Sequence, residues 1–365
     1  MEQIYNPYLP LHEHIPDGEP HVFGNRIYIY GSHDVMNGNT YCEEDYVVWS
    51  APISSLKNWR CEGLAYRKEQ DPSNPDGKKN LWAPDVTKGP DGKYYLYYCL
   101  ALYPEIGVAV SDAPAGPFKF YGHVKYPEGI SKDSISKKYM PFDPAVLTDE
   151  DLRVYLYFGF APACENSMVV ELEQDMLTMK EAPKILIPGG NCAKGTDFEG
   201  HGFFEASSIR KIADTYYFIY SSRKSHELCY ATSSYPDRDF IYGGTIISNG
   251  DIGLNGRTKS CNVLGNNHGS IEKIGDSYYI FYHRQTNGTE FSRQGCAEKI
   301  TINKDGSIDQ VEITSCGLNG GPLDGQGNYP AVIACHITDP STLDSIDYQN
   351  PVLKTQTRVT VQIGS

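Results

Sequence analysis

The sequence lacks any apolar run approaching the ~18 residues that a membrane span requires. Residues 1–30 hold no positively charged start followed by an apolar stretch, so no secretory signal is read and a cytoplasmic location is expected. Runs of Lys and Arg are missing as well. The chain has 32 basic residues against 46 acidic ones, a net charge of -14. That balance repels nucleic acid and anionic membranes, and neither is expected as a partner. The ten cysteines (Cys42, Cys61, Cys99, Cys164, Cys192, Cys229, Cys261, Cys296, Cys316 and Cys335) form no CxxC pair, which argues against zinc and for free thiols. Helical periodicity is nearly absent, which excludes the helical fold classes.

What is abundant is tyrosine, with 28 Tyr against 13 Phe and 3 Trp, accompanied by 35 Gly and 23 Pro. Tyrosine favours strands and suits surfaces that are half apolar and half wet, while Gly and Pro mark turns. One strand pattern recurs five times, aligned on Tyr28, Tyr95, Tyr155, Tyr217 and Tyr279, at spacings of 67, 60, 62 and 62 residues. Turn signals lead into it, and a further strand follows each copy. A repeating unit of about sixty residues built from short strands predicts an all-β, five-bladed β-propeller, with four-stranded antiparallel blades around a central channel.

About eleven residues before each aligned tyrosine stands an ionisable side chain: Asp17, Asp85, Asp143, Glu205 and His268. They open the strand that would line the channel, so five residues distant in sequence converge on its mouth. Polar residues line any wet channel, and that bland reading accounts for one or two acids. Carboxylates held together raise one another's pKa and cost stability, so four acids in register point instead to a catalytic site. Glycoside hydrolysis needs such a set: one protonated acid for the leaving oxygen and one ionised carboxylate to activate water or attack.

The segments Asp17-Gly18-Glu19-Pro20-His21-Val22, Trp82-Ala83-Pro84-Asp85-Val86, Phe142-Asp143-Pro144-Ala145-Val146, Phe204-Glu205-Ala206 and Asn266-Asn267-His268-Gly269 resemble the signatures of glycoside hydrolase family 43, in order and on the same period. The resemblance spans roughly residues 5–335. It implies an inverting, exo-acting glycosidase for α-L-arabinofuranosides or β-D-xylosides, with galactosides as an alternative. It places the general base on Asp17, the modulating acid on Asp143 and the general acid on Glu205. It points to His268 as a residue that holds a central calcium or contacts the sugar. The first motif departs from the commoner Ala-Asp-Pro form, which leaves Glu19 and Asp34 as rivals for the base.

Further candidates for substrate contact are His33, Asp34, Trp82, Asp85, Phe142, Phe204 and Arg293. Trp82, Phe142 and Phe204 would wall the sugar or pack between blades, and Asp85 would bond a hydroxyl or cap a turn. Residues 1–320 are read as the catalytic propeller. Residues 321–365 are read as a strand-rich tail that packs on it or remains from an appended β domain. A glycoside phosphorylase would need a basic phosphate pocket, and a non-catalytic glycan-binding propeller would not need all three acids.

Overall fold

The computed structural model describes residues 5–130, 140–162, 165–286, 289–319 and 321, so the expected tail lies outside the described residues apart from Gly321. The described chain is a five-bladed β-propeller. Blade 1 comprises β1 (Glu19–Phe23), β2 (Arg26–Tyr30), β3 (Tyr46–Pro52) and β4 (Arg60–Tyr66). Blade 2 comprises β5 (Leu81–Lys88), β6 (Tyr94–Leu100), β7 (Ile106–Ser111) and β8 (Lys119–His123). Blade 3 holds β9 (Ala145–Thr148), β10 (Val154–Phe158), β11 (Ser167–Leu172) and β12 (Lys184–Ile187). Blade 4 holds β13 (Phe203–Ile212), β14 (Thr215–Ser222), β15 (Glu227–Ser233) and β16 (Ile241–Ser248). Blade 5 holds β17 (Ile271–Ile274), β18 (Ser277–Arg284) and β19 (Gln294–Ile300). Within each blade, neighbouring strands pair antiparallel in chain order, and the first strands β1, β5, β9 and β13 touch in turn, with β17 against β1.

The five aligned tyrosines all fall on second strands: Tyr28 on β2, Tyr95 on β6, Tyr155 on β10, Tyr217 on β14 and Tyr279 on β18. Second strands are buried on both faces because each blade is packed between two others, which is why they read as continuous apolar and aromatic runs. The tyrosine hydroxyls explain the composition. Tyr30 donates to Pro114 O at 2.6 Å, Tyr97 to Met176 O at 2.6 Å, Tyr157 to Pro236 O at 2.7 Å and Tyr217 to Gly306 O at 2.9 Å. Each bond reaches from a second strand into a turn of the next blade. A phenylalanine would fill the same volume but leave the turn carbonyl unpaired.

The ring closes between the first and last blades. Gly18 bridges Gly269 in parallel, and a Cβ on Gly269 would collide with the backbone carbonyl of Phe281. The outer edge of β19 is covered by the N-terminal segment. Tyr8 N–H donates to Gly295 O at 3.2 Å. The Asn6 carboxamide donates to Ala297 O at 2.9 Å and accepts from Ala297 N–H at 2.8 Å, pairing with that peptide as a strand would. Seven described cysteines are free thiols: Cys42, Cys61, Cys99, Cys229, Cys261, Cys296 and Cys316. Cys192 is disulfide-bonded, which corrects the free-thiol expectation there; sequence spacing alone carries no information about which thiols meet in space.

Candidate active site

The backbone at the channel mouth repeats one device. Asp17, Ala83, Asp143 and Ala206 all have left-handed φ, at 55°, 33°, 46° and 65°. Asp17 and Asp143 lie two residues before the first strand of their blades, and Ala83 and Ala206 lie within the opening residues of theirs. Non-glycine residues rarely adopt this region, and such residues cluster at functional sites. In β5 and β13 the pairing register also shifts, between Trp82 and Asp85, between Phe203 and Glu205, and between Glu205 and Ser208. The bulges re-aim side chains that a regular ladder would direct into neighbouring blades.

The result is a cavity of about 420 Å³, a size typical of small-ligand sites, lined by Asp17, Asp143, Glu205 and His268 together with Trp82, Phe142, Phe204 and Arg293. The three acids expected to act together therefore meet. Three other candidates do not line this cavity. Asp34 is 2% exposed and binds Arg293, which donates from Nε to Oδ2 at 2.9 Å and from Nη2 to Oδ1 at 3.0 Å. His33 lies near the Asp45 carbonyl, 3.0 Å from Nδ1. Asp85 is fully buried, contacts His21 Nε2 at 2.6 Å and accepts from Val146 N–H at 2.8 Å, tying blade 2 to blade 3.

The acids sit in different electrostatic settings. Burial of Asp17 opposes ionisation, but the Arg293 guanidinium, with Nη1 at 3.0 Å from Oδ1, outweighs it and holds this carboxyl well below the usual carboxylate range. His283 supports the same residue through its backbone. Its Nε2 faces Asn266 O at 2.9 Å and must carry the proton, so Nδ1 accepts from Asp17 N–H at 3.1 Å. Glu205 is half-buried and accepts no hydrogen bond among the described residues. Burial, reinforced by the negative charge of Asp17, pushes its pKa up to about 7. Asp143 is raised well above its ordinary value by burial and by the charges of Glu205 and Asp17. Its Oδ2 accepts from Ala206 N–H at 3.0 Å, so it grips the bulge that carries Glu205.

Around these acids the cavity has two unlike walls. Trp82, Phe142, Phe160 and Phe204 run in edge-on and tilted contact across blades 2 to 4, at centroid distances of 5.4, 5.0 and 5.2 Å. Tyr41, Asn266 and Glu290 line the cavity from loops of blades 1, 4–5 and 5. The repeat identified the residues at blade starts but not Tyr41, Phe160, Asn266 or Glu290. Loop residues follow no period, and their sequence signal is an unusual polar or aromatic residue between strands.

Beneath the acids the channel holds Glu19, His21, Asp85, Arg210 and His268. Oε1 of Glu19 and Nε2 of His268 are buried 3.8 Å apart, and neither has a hydrogen-bond partner among the described residues. The other Glu19 oxygen accepts from Arg210 Nη2 at 3.0 Å and Ser208 Oγ at 3.2 Å. His21 and Asp85 satisfy one another. Burial lowers the His268 pKa to about 4, leaving the neutral, ligand-competent imidazole. Two facing, unpartnered ligand atoms fit a hydrated cation. Calcium takes six to eight oxygens, so water would supply most of its shell here.

A propeller with carboxyls in opposed charge states at its axial cavity has the construction of a glycosidase. The chain belongs to glycosyl hydrolases family 43, whose sequence model matches residues 11–308, and it is a glycosidase. It is 55% identical over 343 residues to a xylosidase/arabinosidase of Thermoclostridium stercorarium, covering 92% of this chain and 72% of the relative. Among solved structures it resembles RS223 β-xylosidase, at TM-score 0.67 and 27% identity, covering 85% of this chain and 98% of the other. It also resembles a family 43 β-xylosidase/α-arabinofuranosidase from a compost microbial metagenome, in complex with xylotriose and in a calcium-free form. That match has TM-score 0.65 and 28% identity, over 85% of this chain and 98% of the other.

Proposed function

We propose that this glycosidase removes β-D-xylosyl or α-L-arabinofuranosyl units from the ends of oligosaccharides, with inversion. One observation carries the reading. Glu205, raised to about 7 and with a carboxyl that accepts no hydrogen bond among the described residues, and Asp17, held ionised by Arg293, face the same cavity. Glu205 Oε–H donates its proton to the glycosidic oxygen as the bond to the anomeric carbon breaks. Asp17 takes a proton from the water that attacks that carbon from the opposite face. Inversion of this kind needs the two carboxyl groups about 6.5–9.5 Å apart. Asp143 is a positioning residue that acts on Glu205 through the Ala206 amide. Of the rival bases, Asp34 is occupied by Arg293 and Glu19 lies in the channel with Arg210, while Asp17 alone of the three lines the cavity.

His268 and Glu19 would hold a calcium ion in the channel, where it would supply positive charge beneath the acids. The xylosidase and arabinosidase names of the relatives support pentosides over galactosides. A phosphorylase finds little support, because the one Arg or Lys among the cavity's lining residues, Arg293, is bound to Asp17 and Asp34.

The test is a panel of nitrophenyl glycosides (β-D-xyloside, α-L-arabinofuranoside, β-D-galactoside) assayed with wild type, Glu205→Gln and Asp17→Asn. Either pentoside should be cleaved, with each variant losing at least ~10²-fold. Activity that survives both substitutions, or no activity on any sugar, defeats the assignment. NMR of the first-formed sugar reads the stereochemistry, and a retained anomer refutes inversion.

A further inference from the structure

The acid and the base fix which side of the cavity each half of the substrate occupies. Glu205 must touch the leaving oxygen, so the leaving sugar lies on its side, against the aromatic row of Phe142, Phe160 and Phe204. The sugar being released then lies on the side of Asp17, at the seam between blades 1 and 5. That seam is a ladder of polar contacts rising from floor to rim. Asp17 Oδ1 accepts from Arg293 at 3.0 Å, the Arg293 guanidinium carbon lies 4.8 Å from the centre of the Tyr41 ring, and Tyr41 OH donates to Glu290 Oε2 at 2.9 Å. The loops that carry Tyr41 and Glu290 are stitched together. Asn37 N–H donates to Ser292 Oγ at 2.7 Å, and Ser292 Oγ–H to Val35 O at 3.1 Å. Glu290 is therefore a carboxylate with a fixed orientation at the exposed rim, and its second oxygen accepts no hydrogen bond among the described residues.

We propose that Glu290, oriented by Tyr41, is a specificity-determining residue that accepts hydrogen bonds from the hydroxyls of the released sugar farthest from its anomeric carbon. This rests on the hydrolase reading of the site. At that end the two pentosides differ most: xylopyranose presents a secondary ring hydroxyl, and arabinofuranose a primary hydroxyl on an exocyclic arm. A site that hydrogen-bonds one of these arrangements disfavours the other by leaving its own polar atom unpaired.

The test compares wild type, Glu290→Gln and Tyr41→Phe on nitrophenyl β-D-xylopyranoside and nitrophenyl α-L-arabinofuranoside, which share a leaving group. The ratio of the two kcat/KM values should change by about tenfold in Glu290→Gln, equivalent to about 1.4 kcal/mol. It should move in the same direction and by less in Tyr41→Phe, with the unfolding midpoint unchanged in both. A ratio constant within about twofold, or an equal fall on both substrates, overturns the proposal. A second arm needs no turnover: calorimetric titration of methyl β-D-xylopyranoside and of methyl α-L-arabinofuranoside, whose rings are locked, onto Glu205→Gln, with and without Glu290→Gln. A preference between the two glycosides that Glu290→Gln removes supports the assignment, and affinities left unaltered by Glu290→Gln overturn it. If wild type cleaves neither glycoside the hydrolase reading fails, while the binding arm still decides the role of Glu290.

Discussion

Arg293→Met is the substitution that most directly examines the charge arrangement. Methionine keeps an unbranched stem of similar reach and removes only the guanidinium. At 3.0 Å from Asp17, a unit charge in a medium of effective dielectric about 20 contributes roughly 5 kcal/mol before desolvation is subtracted. That attraction is what keeps Asp17 below its ordinary value of 3.8 despite burial. Without it, burial meets the weaker opposing pull of His283 and His268, and the Asp17 pKa rises. Arg293 also pulls Glu205 downward, so Glu205 moves above its present value of about 7. Both limbs of the kcat/KM profile should therefore shift to higher pH. In wild type the alkaline limb falls as pH rises through about 7, where Glu205 loses its proton, and the acid limb lies below the usual carboxylate range. In the variant the acid limb should enter the range above pH 4.

Stability should follow the same sign. A depressed carboxyl stabilises the fold above its ordinary value, and that contribution is lost as pH falls toward its folded value. Breaking a buried pair costs about 3–5 kcal/mol. Urea unfolding should show that deficit at pH 7 and a smaller one near pH 4. Arg293→Lys, which keeps the charge without the fork that spans Asp17 and Asp34, should lie between. Limbs that stay in place while only KM rises would mean that Arg293 merely contacts substrate, and the charge argument would be wrong.

Two further outcomes test the scaffold and the channel. Tyr157→Phe should lower stability by about 1 kcal/mol in urea, because Pro236 O loses its donor across the blade interface, while kcat stays unchanged. A calcium titration of chelator-dialysed protein, followed by calorimetry, should show a single site that disappears in His268→Ala. Equal heats in the two proteins would remove His268 from any metal role.

The architecture was legible because it is periodic. A blade buried on both faces needs a doubly apolar second strand, and bonding the next blade's turn needs a hydroxyl at its tip. Tyr30, Tyr97 and Tyr157 meet both needs, so the repeat could be read from tyrosines before any strand was placed. Asp17, Asp143, Glu205 and His268 were legible for the same reason: each stands eleven or twelve residues before the aligned tyrosine of that strand. What the sequence left hidden follows no period. Asp34 looked like a substrate residue because it ends a strand near the mouth, but its partner Arg293 stands 259 positions away. Asp85 stands at nearly the same offset as the three cavity acids, yet its carboxylate is consumed by His21 and the amides of Val86 and Val146. An offset locates a residue on the axis without saying how deep along the axis its side chain points.

Depth is set by the local backbone, and there the blades differ. Asp17 and Asp143 are themselves the left-handed residues of their blades, whereas in blade 2 the left-handed residue is Ala83, two positions before Asp85. A carboxylate at the kink faces the cavity. One placed two residues later, inside the regular ladder that pairs Asp85 with Tyr97, turns into the channel wall. Blade 4 uses a third solution: Ala206 takes the kink, and the bulge on either side of Glu205 holds that acid at the cavity, its carboxyl without a hydrogen-bond partner among the described residues. The same repeat thus yields an ionised carboxylate, an acid that grips a neighbouring amide and an acid with no hydrogen-bond partner among the described residues. Backbone conformation at each blade start sets where each carboxylate points, and its neighbours set its charge: Arg293 beside Asp17, burial and the other acids around Asp143 and Glu205.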